Sequence, residues 1–91
     1  MSVDRRELIR NEILFQCYGY FPQSRDAARM ARAAMTEGEI SDATESEFAR
    51  ECEYLAADLL LKRIEDPVSP QHVRYVLSAE GMKHVERKGI A

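Results

Sequence analysis

Residues 13–18 are the tightest constraint in the sequence. Ile13, Leu14, Phe15, Cys17 and Tyr18 point nearly all round a helix that turns by about 100° per residue. Ile9, Ile13 and Cys17 recur at i, i+4 and form one core stripe. Leu14 and Tyr18, with Phe15, form a second stripe, which either the rest of the domain or a partner subunit must cover. This first helix is expected over about 4–19, with Ser2 or Asp4 as its cap and Glu7 in its first turn. A chain of 91 residues suits one small domain, 1–91, built around such a helix, and leaves no room for two full cores.

Gly19-Tyr20-Phe21-Pro22 breaks the first helix and leads into a short extended segment. A second, alanine-rich helix is expected over about 24–35, with Ser24 as N-cap and Asp26 in its first turn. Arg25, Arg29 and Arg32 share one face of it, and Ala27, Ala31, Ala34 and Met35 the other. Gly38 suits a left-handed helix end, and Ile40 reads as a buried plug in the turn that follows. Asp42 or Thr44 starts a third helix, expected over about 43–59. Thr44-Glu45-Ser46-Glu47 has capping-box spacing, and Phe48, Cys52, Leu55 and Leu59 form its core stripe. Strands at about 60–65 and 73–77 flank Pro67-Val68-Ser69-Pro70, a loop that cannot join a ladder. Ser78 caps a last helix, about 79–88, with Met82 and Val85 inward and Gly89 at its end.

Apolar residues make up 45% and charged residues 32%, a globular balance. No run approaches the roughly 18 apolar residues of a membrane span, and no apolar run of signal-peptide type follows Met1-Ser2-Val3-Asp4-Arg5-Arg6, so a cytoplasmic protein is expected. Cys17 and Cys52 read as reduced, buried thiols. His72 and His84 lie outside any metal-ligand spacing, and the sequence holds neither a phosphate loop nor a nucleophile motif. The expectation is a non-enzyme with no metal, no cofactor and no catalytic residue.

The net charge of −3 conceals a pattern. Residues 1–35 sum to +2, residues 36–60 to −7 and residues 61–91 to +2. Ten of the thirteen cations are arginine, the side chain best suited to forked recognition of phosphate or carboxylate.

Two local sequences carry a resemblance. Tyr54-Leu55-Ala56-Ala57-Asp58-Leu59-Leu60-Leu61-Lys62-Arg63 looks like the end of a recognition helix running into a first wing strand. Tyr75-Val76-Leu77-Ser78-Ala79-Glu80-Gly81 looks like a second wing strand followed by a "Leu-Ser/Thr-x-x-Gly" helix start. With the order of elements over residues 5–88, the chain resembles the winged helix-turn-helix superfamily, whose small stand-alone members are frequent in bacteria, phages and prophages. The resemblance implies an α+β, mostly α fold: a three-helix core, a two-stranded β-hairpin wing and a C-terminal helix. It also implies a transcriptional regulator that binds double-stranded DNA, as a homodimer through the surplus apolar face of the first helix (Leu14, Phe15, Tyr18). Such proteins often have glycine between the recognition helix and the wing, where this chain has Asp58.

In that setting Arg25, Arg29 and Arg32 would clamp phosphates, as would Arg50 and the wing residues Lys62, Arg63, His72 and Arg74. The bland alternative for these cations is a solvated surface. The acids of the third helix oppose DNA docking. The helix dipole accounts for Glu45 and Glu47 but not for Glu51 and Glu53. Glu47, Glu51 and Glu53 therefore suit the alternative function, a protein–protein interaction module on the same scaffold.

Overall fold

The structure is a computed structural model that describes residues 2–37 and 40–90. Four helices and one antiparallel hairpin follow in the order α1 (Ser2–Tyr20), α2 (Ala27–Thr36), α3 (Glu45–Ala57), β1 (Leu61–Glu65), β2 (Val73–Leu77) and α4 (Ala79–Lys88). The fold is α+β and mostly helical. Gly38 and the side chains of Ser2 and Asp4 lie outside the described residues, so their expected capping roles have no structural counterpart here. Among the described residues, no helix is long and apolar enough to cross a membrane.

α1 packs on α2, α3, β2 and α4. Ile9, Ile13, Leu14 and Cys17 are buried against Met30, Ala34, Phe48, Cys52, Leu77 and Val85. The second apolar stripe is thus covered within the chain at Leu14, while Phe15 remains 49% exposed and Leu8, about two turns earlier, 50%. Leu14 therefore does not belong to a subunit interface. Both cysteines are free and buried; burial pushes the Cys17 thiol up to about 12, against a smaller opposing effect of the Arg25 charge, and raises Cys52 as well. Burial thus disfavours the thiolate, the nucleophilic form, at both positions.

Two boundaries that matter for packing differ from the sequence reading. α2 begins at Ala27, not Ser24, because Arg25 is extended and exchanges both backbone hydrogen bonds with Tyr75, each 2.9 Å long. Asp26 takes the cap instead, its Oδ1 accepting from the Arg29 N–H at 2.9 Å. With this start the buried face of α2 comprises Ala27, Met30, Ala31 and Ala34, and Met35 is exposed. α3 stops at Ala57, so Leu59 leaves the expected core stripe and is 71% exposed.

The end of α3 is a Schellman turn. The Leu60 N–H bonds to the Leu55 carbonyl at 2.9 Å and the Leu59 N–H to the Ala56 carbonyl at 3.0 Å. The left-handed position belongs to Leu59, φ 67°, and not to Asp58, φ −86°. A leucine there carries a steric cost of roughly 1–2 kcal/mol and contributes little burial in return. Leu59→Gly is expected to raise the free energy of unfolding by about 0.5–1 kcal/mol, because the extra freedom of glycine in the unfolded chain offsets part of the relief. A denaturant midpoint at or below that of the wild type would contradict this.

The hairpin pairs Leu61 with Leu77, Arg63 with Tyr75 and Glu65 with Val73 on one face, and Lys62 with Val76 and Ile64 with Arg74 on the other. Leu61, Tyr75 and Leu77 are buried, so the first face packs on the helices and the second faces outward. The tip is fixed by Asp66, whose Oδ1 accepts from the Val68 N–H at 2.8 Å and the Ser69 N–H at 3.3 Å.

Candidate nucleic-acid interface

α2, the start of α3 and the hairpin enclose an open cleft of about 490 Å³. Arg25, Arg29, His72 and Arg74 line it, so the cleft brings together four of the sequence-predicted contact residues. Asp26, Glu45 and Asp66 line it too. Two of these carboxylates have local duties, Asp26 at the α2 cap and Asp66 in the tip turn. Arg25 is half-buried and stacks on the Tyr20 ring at 4.0 Å. Arg29 and Arg32 are exposed on α2, and Lys62 and Arg74 on the outward face of the hairpin. Among the described residues, the side chains of Arg29, Arg32, Lys62 and Arg74 make no hydrogen bond or ion pair.

Arg63 is placed differently. It lies on the inward face of the hairpin, where its Nε donates to Glu53 at 2.9 Å and its Nη1 to Glu65. The Tyr75 hydroxyl also donates to Glu53. The Tyr75 hydrogen bond, with the Arg63 one, holds the Glu53 carboxyl below its ordinary value. Arg63 therefore ties the hairpin to α3 and is not available to a ligand as the exposed hairpin residues Lys62 and Arg74 are.

The acids of α3 are the main departure from the sequence reading. Arg5 grips Glu47 through Nε at 2.7 Å and Nη2 at 2.9 Å, and also reaches Asp42 at 3.1 Å. The Arg5 hydrogen bond lowers the Glu47 carboxyl to about 2, against some opposition from burial and with help from Thr44. Glu51 is fully buried at 0% exposure. Its carboxylate accepts from the Nε of Arg6 at 2.9 Å, of Arg10 at 2.8 Å and of Arg50 at 3.2 Å. Burial alone would push this carboxyl up; the hydrogen bonds of Arg10 and Arg6 and the Arg6 charge outweigh it and hold it low. Glu51 therefore cannot belong to an acidic surface that meets a protein partner. Glu47 and Glu53 stay partly exposed with their charges matched inside the chain.

Arg5, Arg6 and Arg10 were not among the sequence candidates. A signal existed: Arg6 and Arg10 are four residues apart on one helix, as are Glu47 and Glu51 on another, so each pair lies on one helix face. Arg10 also lies over the Tyr54 ring at 4.0 Å. Arg50, a predicted phosphate contact, is 61% exposed but leans on Glu51. Tyr18 is half-buried and donates to Glu86 at 3.1 Å, which secures α4 to α1. Among the described residues, no group of three His, Cys, Asp or Glu side chains could hold a metal ion.

No protein-family model, no curated protein and no solved structure matches this chain.

Proposed function

We propose that the protein is a winged-helix binder of double-stranded DNA that acts as a transcriptional regulator. The residues that hold the phosphate backbone are Arg25, Arg29 and Arg32 of the α2 segment and Lys62, His72 and Arg74 of the hairpin. One contrast supports this. The carboxylates that oppose DNA docking on α3, Glu47, Glu51 and Glu53, are matched by arginines within the chain. Arg29, Arg32, Lys62 and Arg74, by comparison, are exposed and make no ion pair among the described residues. The net charge of −3 thus overstates the repulsion that a phosphate backbone meets near α2 and the hairpin.

The test is binding to a mixed-sequence duplex as a function of salt. Affinity is expected to fall steeply with salt, since each neutralised phosphate contributes about 0.9 to the slope of log K against log salt. Arg29→Ala and Arg74→Ala should each reduce the slope by about 1 and weaken all sequences alike. Absence of binding at low salt, where phosphate contacts are strongest, overturns the proposal.

A further inference from the structure

We propose that Arg6, Arg10 and Arg50, seated on the buried Glu51 carboxylate, form a preorganised site for a phosphate group. Its occupant is a backbone phosphate of the duplex, on the side of α3 away from the α2–hairpin cleft. The occupant rests on the DNA-binding reading above, whereas the phosphate chemistry of the site does not.

Three guanidinium groups share one carboxylate, which leaves an excess of two positive charges. Each uses its Nε on Glu51. A guanidinium has five N–H donors, so four remain on each arginine. Among the described residues, none of these terminal nitrogens makes a hydrogen bond. The side chains are 41%, 24% and 61% exposed for Arg6, Arg10 and Arg50, so a ligand can reach them. The carboxylate beneath is fully buried, and the Tyr54 ring supports Arg10 at 4.0 Å and Arg6 at 5.8 Å. The forks are therefore held before a ligand arrives, which lowers the ordering cost of binding. Glu7 and Asp58 line the groove next to Arg10 and Tyr54, so an anion is drawn to the Arg6 and Arg50 end.

The position of the cluster identifies the occupant. At about 100° per residue, Ala49, which lines the α2–hairpin cleft, and Glu51 lie roughly 160° apart round α3. Arg50 stands between them on the exposed side. A helix is about 10–12 Å across, close to the roughly 12 Å width of the major groove of DNA. Cations on both flanks of α3 would then meet the two phosphate backbones that border one groove.

The experiment measures the salt dependence of binding to a labelled 20-bp duplex for the wild type, Arg6→Gln, Arg50→Gln and Arg6→Lys. Melting curves accompany each variant. Glu51 keeps two arginines in each case, so all are expected to fold, and Arg50→Gln, the most exposed substitution, serves alone if Arg6→Gln does not. Each Gln variant should lower the slope of log K against log salt by about 0.9, and Arg6→Lys should retain it. Wild-type slopes in the folded Gln variants overturn the inference and leave the DNA-binding reading standing on Arg29 and Arg74. If the wild type binds no duplex, that reading fails, and inorganic phosphate at constant ionic strength decides the site. A rise in melting temperature in the wild type but not in Arg50→Gln supports a site for free phosphate; no rise overturns it.

Discussion

Glu51→Ala is expected to destabilise the fold by about 3 kcal/mol. Truncating one member of a buried ion cluster costs roughly 3–5 kcal/mol, because the remaining charges lose their partner. The three arginines here are partly exposed and can turn to water, which places the loss at the lower end. Urea unfolding measures it, and a loss below about 1 kcal/mol would show that water already solvates the arginines adequately. The same cluster predicts a pH response. Glu47, Glu51 and Glu53 all have carboxyl groups held below the ordinary value in the folded chain. A depressed carboxyl contributes stability above its unfolded pKa and loses that contribution as pH falls through its folded pKa. Stability is therefore expected to hold at neutral pH and to decline from about pH 4.3 downward. The decline at Glu47 is complete only below its folded value of about 2. Glu51→Ala should flatten this acid limb, and an unchanged limb would remove Glu51 from its cause.

Gly81→Ala is expected to lower stability by about 2 kcal/mol, although alanine is the better helix former. A Cβ at Gly81 would overlap the Leu60 carbonyl oxygen and lie 2.8 Å from Leu77 Cδ1. The carbonyl has no easy retreat, since it accepts the Ser78 N–H at 3.1 Å where the hairpin hands over to α4. Overpacking against backbone costs roughly 1–3 kcal/mol, and the gain in helix propensity returns about 1 kcal/mol at most. For a domain of this size a loss of 2 kcal/mol lowers the melting temperature by about 8–16 °C. A melting temperature equal to or above that of the wild type would mean that α4 can slide away from Leu60.

These two residues show how far the sequence could be read. Gly81 was legible as a position in a helix-start motif, and its local partner Ser78 does cap α4, accepting the Gly81 N–H at 2.9 Å. The reason for a glycine was not legible, because Leu60 is distant in sequence and reaches Gly81 only through the hairpin. Ile40 as a buried plug, Gly89 as a left-handed helix end and Thr44 as a cap follow from local chemistry and are seen in the structure. Local chemistry leaves the start of α2 open because Ser24 and Asp26 are both good caps; the backbone pairing of Arg25 with Tyr75, fifty residues away, selects Asp26. Leu59 departs from the expected stripe because helical spacing continues through it while the helix does not.

The candidate interface divides along the same line. Arg29, Arg32, Lys62 and Arg74 are exposed as periodicity and alternation require, and the sequence alone identified them as surface cations. It also determined the order of helices and strands, because caps, breakers and apolar periods act over a few residues. Which charges are matched was decided only by tertiary structure. α1 lies across α3 so that Arg5, Arg6 and Arg10 meet Glu47 and Glu51 over more than forty positions of sequence. The burial that this packing imposes turns an acidic helix into one whose carboxylates serve the fold. Ion pairing depends on distance in space and on local solvent exposure, and neither quantity is written in a count of charges.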